Sequence, residues 1–301
     1  MTGQTNQRVA VITGASSGIG KEAAKALLQQ GWRVIGLGRD AERCAAAEKE
    51  IRALIVDTKA GPNAQFEMLR VDLSSMADTA RMAGEIFART SRIDVLLNNA
   101  GGMAKELVMT PEGNEALFAS NHLGHFLLTD CLLPLMKMTA KNAASGSVRI
   151  ISVSSDAHAY TPGLDGDIQM LDSYQPGPAY CRVKLANVLF TRQLAKRIAD
   201  TGIAVHCMHP GLVASNFVTH ADPQAQASIR SRADAAITPQ EGADTLIWLA
   251  TAEEAGKSTG GYFIKRVETA PSAAAQDAAL AERLWNESEL LVARSLKASA
   301  K

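Results

Sequence analysis

The chain has 301 residues, of which 47% are hydrophobic and 21% charged, and this composition excludes intrinsic disorder and collagen-like repeats. Its 31 Lys and Arg residues balance 31 Asp and Glu residues, so the net charge of zero argues against a dedicated nucleic-acid-binding protein and against electrostatic attraction to an anionic membrane. The cysteines Cys44, Cys131, Cys181 and Cys207 are far apart, so we expect no zinc site and no disulfide framework, but free thiols in a cytoplasmic protein.

Short apolar runs alternate with longer segments of helical periodicity along the chain. The runs predict seven strands, at residues 8–13, 33–38, 65–71, 93–98, 147–153, 204–209 and 261–264. The intervening periodicity predicts helices at residues 18–30, 41–59, 76–90, 112–138, 178–201 and 239–252. Because this alternation is typical of crossover connections, we predict an α/β fold with one doubly wound parallel sheet of about seven strands and helices on both faces.

The C-terminal residues and the absence of linkers indicate how the chain is divided into domains. Residues 271–301 have apolar side chains at helical spacing and predict a C-terminal helical extension docked on the body. No linker composition divides the chain, so residues 1–301 are expected to form a single dinucleotide-binding and catalytic domain. We expect no integral membrane segment, because neither a signal peptide nor a run of about 20 apolar residues is present.

A glycine-rich turn follows the first strand and opens the first helix, with the sequence Gly14-Ala-Ser-Ser-Gly18-Ile-Gly20. Glycines let the backbone approach a pyrophosphate closely, and the N–H groups at the start of a helix attract it. The spacing differs from the commoner G-x-G-x-x-G fingerprint. By itself the turn therefore fits either a nucleotide site or a tight connection between strand and helix.

The end of the second strand indicates which dinucleotide would bind. NAD-preferring sites place an acidic residue there, but this chain has Gly38 followed by Arg39. A guanidinium, assisted by Ser16 or Ser17, suits the 2′-phosphate of NADP, which is therefore favoured over NAD. The alternative is that Arg39 is a solvated turn residue and that Asp40 caps the following helix.

Hydroxyl and ammonium groups form a second candidate site. Tyr180 and Lys184 share one face of a predicted helix, and a nearby cation favours the ionised form of a phenol. Ser155 follows a predicted strand, at the sheet edge where ligands bind, and could donate a hydrogen bond to a carbonyl oxygen. The alternative is that the tyrosine is exposed, the lysine is solvated and the serine side chain only hydrogen-bonds a backbone group at the end of the strand.

Further motifs stand in order at suitable separations. The ordered set is Thr13-Gly14-x3-Gly18-x-Gly20, Asp72, Asn98-Asn99-Ala100-Gly101, Asn121, Ser155, Tyr180-x3-Lys184 and Pro210-Gly211. Over residues 8–264 this set resembles that of the short-chain dehydrogenases/reductases. The segments Lys21-Glu22, Pro239-Gln-Glu-Gly-Ala243, Gly261-Tyr-Phe263 and Leu280-Ala-Glu-Arg-Leu-Trp285 resemble the retinol-dehydrogenase-like and WW-domain-oxidoreductase-like branch, whose members mostly prefer NADPH.

This resemblance implies a Rossmann-type fold and a role for each matching residue. Tyr180 would be the general acid/base, Lys184 would lower its pKa and bind the nicotinamide ribose, Ser155 would polarise the carbonyl, and Asn121 would hold the water of a proton relay. Asp72 and Leu73 would flank the adenine, and residues 210–213 would line the nicotinamide. The implied cofactor contacts are Gly14, Ser16, Ser17, Gly18, Ile19, Gly20, Arg39, Asp72, Leu73, Asn99, Ala100, Gly101, Tyr180, Lys184, Pro210, Gly211 and Val213.

The sequence departs from the family pattern in two places. The segment between Ser155 and Tyr180 is longer than in many members, and Ser215 stands where threonine is common. The first departure leaves the shape of the substrate pocket open, and the second affects a contact to the cofactor carboxamide. The histidines show no zinc-ligand spacing, so no metal is expected.

We therefore expect reversible hydride transfer between NADP(H) and a small lipophilic alcohol, aldehyde or ketone. The substrate loop would span residues 212–236, whose apolar members include Leu212, Val213, Phe217 and Val218. A catalytically silent NADP(H) sensor or scaffold is the alternative. The resemblance also implies a possible homodimer through the helix at 112–138 and the helix that carries Tyr180, contacts that the C-terminal tail would obstruct or replace.

Overall fold

The computed structural model describes residues 7–56, 61, 63–214, 226–227, 231 and 233–299. Within them, eight strands form one sheet in the order β3-β2-β1-β4-β5-β6-β7-β8. The strands are β1 (Val9–Thr13), β2 (Arg33–Gly38), β3 (Gln65–Arg70), β4 (Val95–Asn98), β5 (Arg149–Val153), β6 (Ala204–His209), β7 (Tyr262–Ile264) and β8 (Val267–Glu268). The first seven are parallel, as the sequence predicts, and β8 is an added antiparallel edge strand.

Helices connect the strands. They are α1 (Gly18–Gln29), α2 (Ala41–Val56), α3 (Met76–Arg89), α4 (Ala116–Phe118), α5 (Gly124–Lys141), α6 (Pro176–Arg197), α7 (Pro239–Thr251), α8 (Ala273–Gln276) and α9 (Ala278–Ser299). Residues 57–59 of the second predicted helix lie outside the described residues. In the described part of the chain, no helix combines the length and the apolar character needed to cross a lipid bilayer.

Helices cover both faces of the sheet, which explains why every residue of β1 and β5 is buried. One face packs against α1, α2 and α7, and the other against α3, α5, α6 and α9. The chain builds outward from β1 to β3 and then returns to β4, so the strand order reverses between β1 and β4. Such a reversal opens a crevice at the carboxyl ends of these two strands, where ligands of doubly wound sheets bind.

The helix predicted at 112–138 differs from the observed one at its start. Residues 110–114 form a turn instead, with Gly113 at φ +78, and the Glu115 carboxylate caps α4 by accepting from the N–H groups of Leu117 and Phe118. A π-helical turn, Ala119–Leu123, then joins α4 to α5. This turn contains Asn121, and π-turns within helices are frequent at functional sites.

The C-terminal extension forms α8 and α9, and α9 packs on α6 and α3 as the helical spacing predicts. Its main anchor is Trp285, whose ring lies 4.9 Å from that of Phe126 on α5 and 5.9 Å from that of Phe190 on α6. Leu290 is 70% exposed and adds nothing to this contact. The extension thus covers part of α5 and α6, the helices whose pairing with a second copy the resemblance implies.

We expect Trp285→Ala to lower the free energy of unfolding by about 3–5 kcal/mol, because the substitution leaves a cavity among packed aromatic rings. It also removes the ring that lies 4.4 Å below the Arg197 guanidinium. Urea denaturation measures the change. Leu290→Ala on the same helix is the control and should change stability by less than about 0.5 kcal/mol. Equal losses in the two variants would contradict the docking of α9 through Trp285.

Candidate active site

The ends of β1 and β4 are joined by hydrogen bonds around Thr13. Its hydroxyl oxygen accepts from the backbone N–H groups of Asn99 and Ala100 at 2.8 and 2.9 Å, and the Asn99 amide donates to the Thr13 carbonyl. Gly14 follows at φ +70, and a Cβ there would lie 2.9 Å from the Asn99 amide nitrogen. The glycine turn and the segment from Asn99 to Gly101 are therefore in contact, as two motifs of one site require.

The start of α1 is open to an anion. The helix begins at Gly18 with φ +55, the side chain of its N-cap residue Ser17 makes no capping hydrogen bond, and the described first turn holds no acidic residue. Its backbone N–H groups therefore lack a side-chain acceptor and suit a phosphate. A Cβ on Gly20 would collide with the Gly14 carbonyl, so this glycine serves the close packing of helix and turn.

An open cleft of about 440 Å³ lies beside the ends of β2 and β3, next to α3. It is lined by Arg39, Arg70, Asp72, Asp78, Arg81 and Glu85. A Cβ on Gly38 would lie 2.6 Å from the Cys44 sulfur, so an acidic side chain does not fit at this position without rearrangement. Asp40 accepts from the Arg43 N–H and caps α2, which confirms that part of the alternative interpretation, whereas the Arg39 side chain is exposed at the cleft.

Arg70 is a second cation in this cleft that the sequence analysis missed. It pairs with Gly38 across the β2–β3 ladder, and its Nε donates to the Arg39 carbonyl at 3.0 Å. Arg81 forms ion pairs with Asp78 and Glu85. Among the described residues, by contrast, no ion pair involves Arg39 or Arg70. Neither guanidinium is neutralised by a carboxylate there, so both can attract a phosphate, and only the strand register, which the sequence does not reveal, places them together.

Ser155, Tyr180 and Lys184 meet near the carboxyl end of β5. The Tyr180 side chain is hydrogen-bonded to that of Ser155, and the Lys184 ammonium lies 5.6 Å from the centre of the Tyr180 ring. Lys184 is only 3% exposed and donates to the Val153 carbonyl at 3.2 Å. The alternative of a solvated lysine beside an exposed tyrosine is therefore wrong.

Burial is the main cause of the pKa shifts of Lys184 and Tyr180. It lowers the pKa of Lys184 to about 8, because the ammonium is removed from water. Burial raises the pKa of the Tyr180 phenol, and the hydrogen bond to Ser155 offsets this only in part. The expectation that Lys184 lowers the phenol pKa is thus not met in this structure. Tyr180 is protonated at neutral pH, the form that donates a proton.

The π-turn brings Asn121 to the same edge of the sheet. Its side-chain amide donates to the Gly102 carbonyl at 2.9 Å and accepts from the Gly102 N–H at 3.2 Å. A Cβ on Gly101 would lie 3.4 Å from both the Asn121 amide oxygen and the Lys184 nitrogen. Asn121 and Lys184 thus converge on the backbone of the segment that follows β4. The His125 ring bonds both the Asn121 carbonyl and Thr13, two contacts that no local signal indicates.

The remaining predicted contacts follow β3 and β6. Asp72 accepts from the N–H and hydroxyl of Ser74, and Leu73 is buried. After β6, Pro210 is partly exposed, Gly211 has φ +93, and Val213 pairs with Ile237. Ser215, Phe217, Val218 and most of the proposed substrate loop lie outside the described residues. Within the described ranges, no three His, Cys, Asp or Glu residues cluster as metal ligands.

These features fit the dinucleotide that the sequence predicts: an anion site at α1, a cationic cleft at the end of β2, and a proton donor beside an ammonium. Comparison with known proteins identifies the family. Residues 8–226 match the family described as short chain dehydrogenase. The chain is 40% identical to human retinol dehydrogenase 12 over 285 residues, which span 94% of this chain and 86% of that protein. It is 36% identical to mouse retinol dehydrogenase 14 over 299 residues, 96% of this chain and 87% of that protein.

Solved structures show the same fold. A protein from Mycobacterium paratuberculosis superposes with a TM-score of 0.72 at 31% identity, covering 95% of this chain and 93% of that one. A Pseudomonas aeruginosa protein described as a RhlG/NADP active-site complex superposes with a TM-score of 0.67 at 28% identity, covering 89% and 96%.

Proposed function

This chain belongs to the short-chain dehydrogenase family, in its retinol-dehydrogenase-like branch, and from that premise we propose that it transfers hydride between NADP(H) and a lipophilic alcohol, aldehyde or ketone. The observation that carries the proposal is the contact of Ser155, Tyr180 and Lys184 at the end of β5. A proton donor, a second hydroxyl and a cation are the groups that carbonyl reduction needs from a protein.

When bound, NADPH would supply the hydride. The start of α1 at Gly18 would hold the pyrophosphate, and Arg39 with Arg70 would hold the 2′-phosphate. The remaining contacts would be Gly14, Ser16, Ser17, Ile19 and Gly20 in the turn, Asp72 and Leu73 beside the adenine, Asn99, Ala100 and Gly101 beside the adenosine ribose, Tyr180 and Lys184 at the nicotinamide ribose, and Pro210, Gly211 and Val213 beside the nicotinamide. The Pseudomonas aeruginosa structure, described as an NADP complex, supports this choice of cofactor.

Tyr180 would give its proton to the substrate oxygen as the carbonyl becomes an alcohol. Its raised pKa keeps the phenol protonated until then, and Ser155 would donate a hydrogen bond to the same oxygen. The Lys184 ammonium would stabilise the phenolate that remains. Asn121 would hold a water that returns the proton from solvent. In alcohol oxidation the same groups would act in reverse.

A lipophilic substrate is supported by the surroundings of the site and by the relatives. Leu107, Val108 and Met109 expose 38–49% of their surface, although they are large apolar side chains. They follow, five to seven residues later in the chain, Gly102, whose backbone is bonded to Asn121. The relatives named above are retinol dehydrogenases, and we propose retinal-like aldehydes as the substrate class.

The experiment incubates the purified chain and NADPH with all-trans-retinal, a long-chain aldehyde or a small hydrophilic aldehyde, and measures the alcohol product by chromatography. Turnover with the two lipophilic aldehydes that exceeds turnover with the hydrophilic one would support the proposal. NADPH binding without turnover of any compound would support the alternative of a silent sensor or scaffold. Turnover of only the hydrophilic aldehyde would contradict the lipophilic substrate and leave the oxidoreductase assignment standing.

Cofactor affinity should depend on pH through Lys184. Since burial lowers its pKa to about 8, we expect the affinity of the free enzyme for NADPH to fall by up to about tenfold per pH unit above 8, as the ammonium loses its proton. Fluorescence titration between pH 6.5 and 9.5 measures the dissociation constant. Lys184→Met should bind more weakly and show no such pH dependence.

Unfolding does not explain this loss of affinity. The pKa of Lys184 in the folded chain lies below its usual value of 10.5, so between these values the unfolded chain binds more protons than the folded one. The contribution of Lys184 to stability therefore rises from pH 8 to 10.5. A dissociation constant that stays flat through pH 8 in the wild type would contradict the assignment of Lys184 to cofactor binding.

A further inference from the structure

His158 is a buried residue close to the catalytic group. It lies in the 3₁₀ turn Asp156–Tyr160 that Ser155 caps. The side chain is 3% exposed, so it is not a solvated loop histidine. Its ring packs edge-on against Tyr262 of β7, with the ring centres 4.8 Å apart.

Both ring nitrogens of His158 are hydrogen-bonded. Nε2 is 3.1 Å from the backbone nitrogen of Ser272, and Nδ1 is 2.7 Å from the Ser155 carbonyl oxygen. Because the backbone N–H of Ser272 can only donate, Nε2 must accept and carries no proton. Nδ1 then carries the proton and donates to Ser155. The two contacts together define one neutral tautomer of the ring.

These two bonds join distant parts of the chain. Ser272 is the N-cap of α8, the first helix of the C-terminal extension, and its hydroxyl accepts from the Ala275 N–H. At the other end, the Ser155 hydroxyl donates to the Asp156 carboxylate at 3.0 Å, accepts from the Ala157 N–H and is hydrogen-bonded to the Tyr180 side chain. The His158 ring therefore links the main chain of Ser155 to the extension.

We propose that His158 is a positioning residue for Ser155: its Nδ1–H holds the Ser155 carbonyl, and the extension in turn holds the ring. The inference rests on the proposed role of Ser155 in catalysis. If the Ser155 main chain rotates, its hydroxyl leaves the place from which it bonds Tyr180. A displacement of about 1 Å at a reacting group can lower a rate by about 10².

Two conservative substitutions separate the two bonds. The amide nitrogen of His158→Asn can replace Nδ1–H and donate to Ser155, but it does not reach Ser272. The amide oxygen of His158→Gln can replace Nε2 and accept from Ser272, but the side chain then has no donor for the Ser155 carbonyl, which keeps only the backbone N–H of residue 158 at 3.2 Å. We expect both variants to lower Tm, and only His158→Gln to lower kcat, by about tenfold to 10², with an unchanged KM for NADPH.

His206 provides a matched control. Its ring also lies between a carbonyl, that of Ala255 at 2.9 Å, and a backbone N–H, that of Gly261 at 3.3 Å. It is buried and packs edge-on against Phe263, with the ring centres 5.0 Å apart. Its ring bonds neither Ser155 nor Tyr180. The Asn and Gln variants of His206 should therefore lose stability and retain the wild-type kcat.

A readout independent of turnover keeps the inference testable. Crystal structures of the two His158 variants give the distance between the Ser155 and Tyr180 oxygens, which should increase in His158→Gln and stay unchanged in His158→Asn. Equal distances and equal kcat values in both variants, with Tm alone reduced, would overturn the inference. If Ser155→Ala retains full turnover, the proposed function of Ser155 fails instead, whatever the His158 structures show.

Discussion

Replacing Tyr180 with phenylalanine is expected to lower kcat by about 10² or more, because the substitution removes the proton donor and leaves the rest of the site in place. The lost hydroxyl bonds Ser155, whereas Lys184 is held by the Val153 carbonyl and should keep its position. NADPH affinity and Tm should therefore change little. Steady-state kinetics with a lipophilic aldehyde and a fluorescence titration of NADPH measure the two quantities on the same preparation.

Tyr160 is the control for this substitution. It lies at the end of the 3₁₀ turn that Ser155 caps, and it is 78% exposed. Tyr160→Phe removes the same atom from a neighbouring position and should retain the wild-type kcat. If Tyr180→Phe keeps more than about half of the wild-type kcat, the phenol is not the general acid, and the proposed mechanism is wrong.

Replacing Arg39 with alanine is expected to raise KM for NADPH by about tenfold to 150-fold and to affect NADH little. A charge-assisted contact to the 2′-phosphate contributes about 1.5 to 3 kcal/mol, which corresponds to this range. Because Arg70 remains in the cleft, we expect the single substitution to fall in the lower part of the range, and the variant that lacks both arginines to lose more. The measurement is kcat/KM for both cofactors in the wild type, in Arg39→Ala and in the variant that lacks both arginines.

Arg52→Ala is the control, since Arg52 is an exposed arginine of α2 that pairs with Glu48 and does not line the cleft. It should leave kcat/KM unchanged for both cofactors. A wild-type preference for NADH, or an equal decrease in kcat/KM with both cofactors in Arg39→Ala, would mean that Arg39 does not bind the 2′-phosphate. The Asp40 carboxylate would not readily replace it at the ribose, because it already caps α2.

The amino-acid sequence by itself determined the order of strands and helices, the glycine turn and the shared helix face of Tyr180 and Lys184. These features depend on residues close together in the chain: an apolar run, a glycine spacing, or two side chains one helical turn apart. Ser155 followed from its place after a predicted strand, and the family motifs added Asn121. The number of residues between them does not give their distance in space, so the structure was needed to place them beside Tyr180 and Lys184.

Where an element departs from the common local pattern, the sequence was less informative. The turn between β7 and β8 has Lys265 and Arg266 at positive φ, a backbone conformation for which Asn-Gly is the usual signal, so β8 was not predicted. The start of the helix at Ala116 was likewise missed, because residues 112–115 continue its pattern but form a turn stabilised by their own hydrogen bonds.

Only the tertiary structure decided which distant residues meet and how far burial shifts their protonation. Arg70 lies beside Arg39 because of the register of two strands, and His158 lies between Ser155 and Ser272 because the extension packs against α6 and the turn that contains His158. Helical spacing brought a cation near the Tyr180 phenol and so predicted a lower pKa for the phenol, whereas removal from water raises the pKa of Tyr180 and lowers that of Lys184. Desolvation depends on everything that surrounds a side chain, and no local pattern of residues encodes it.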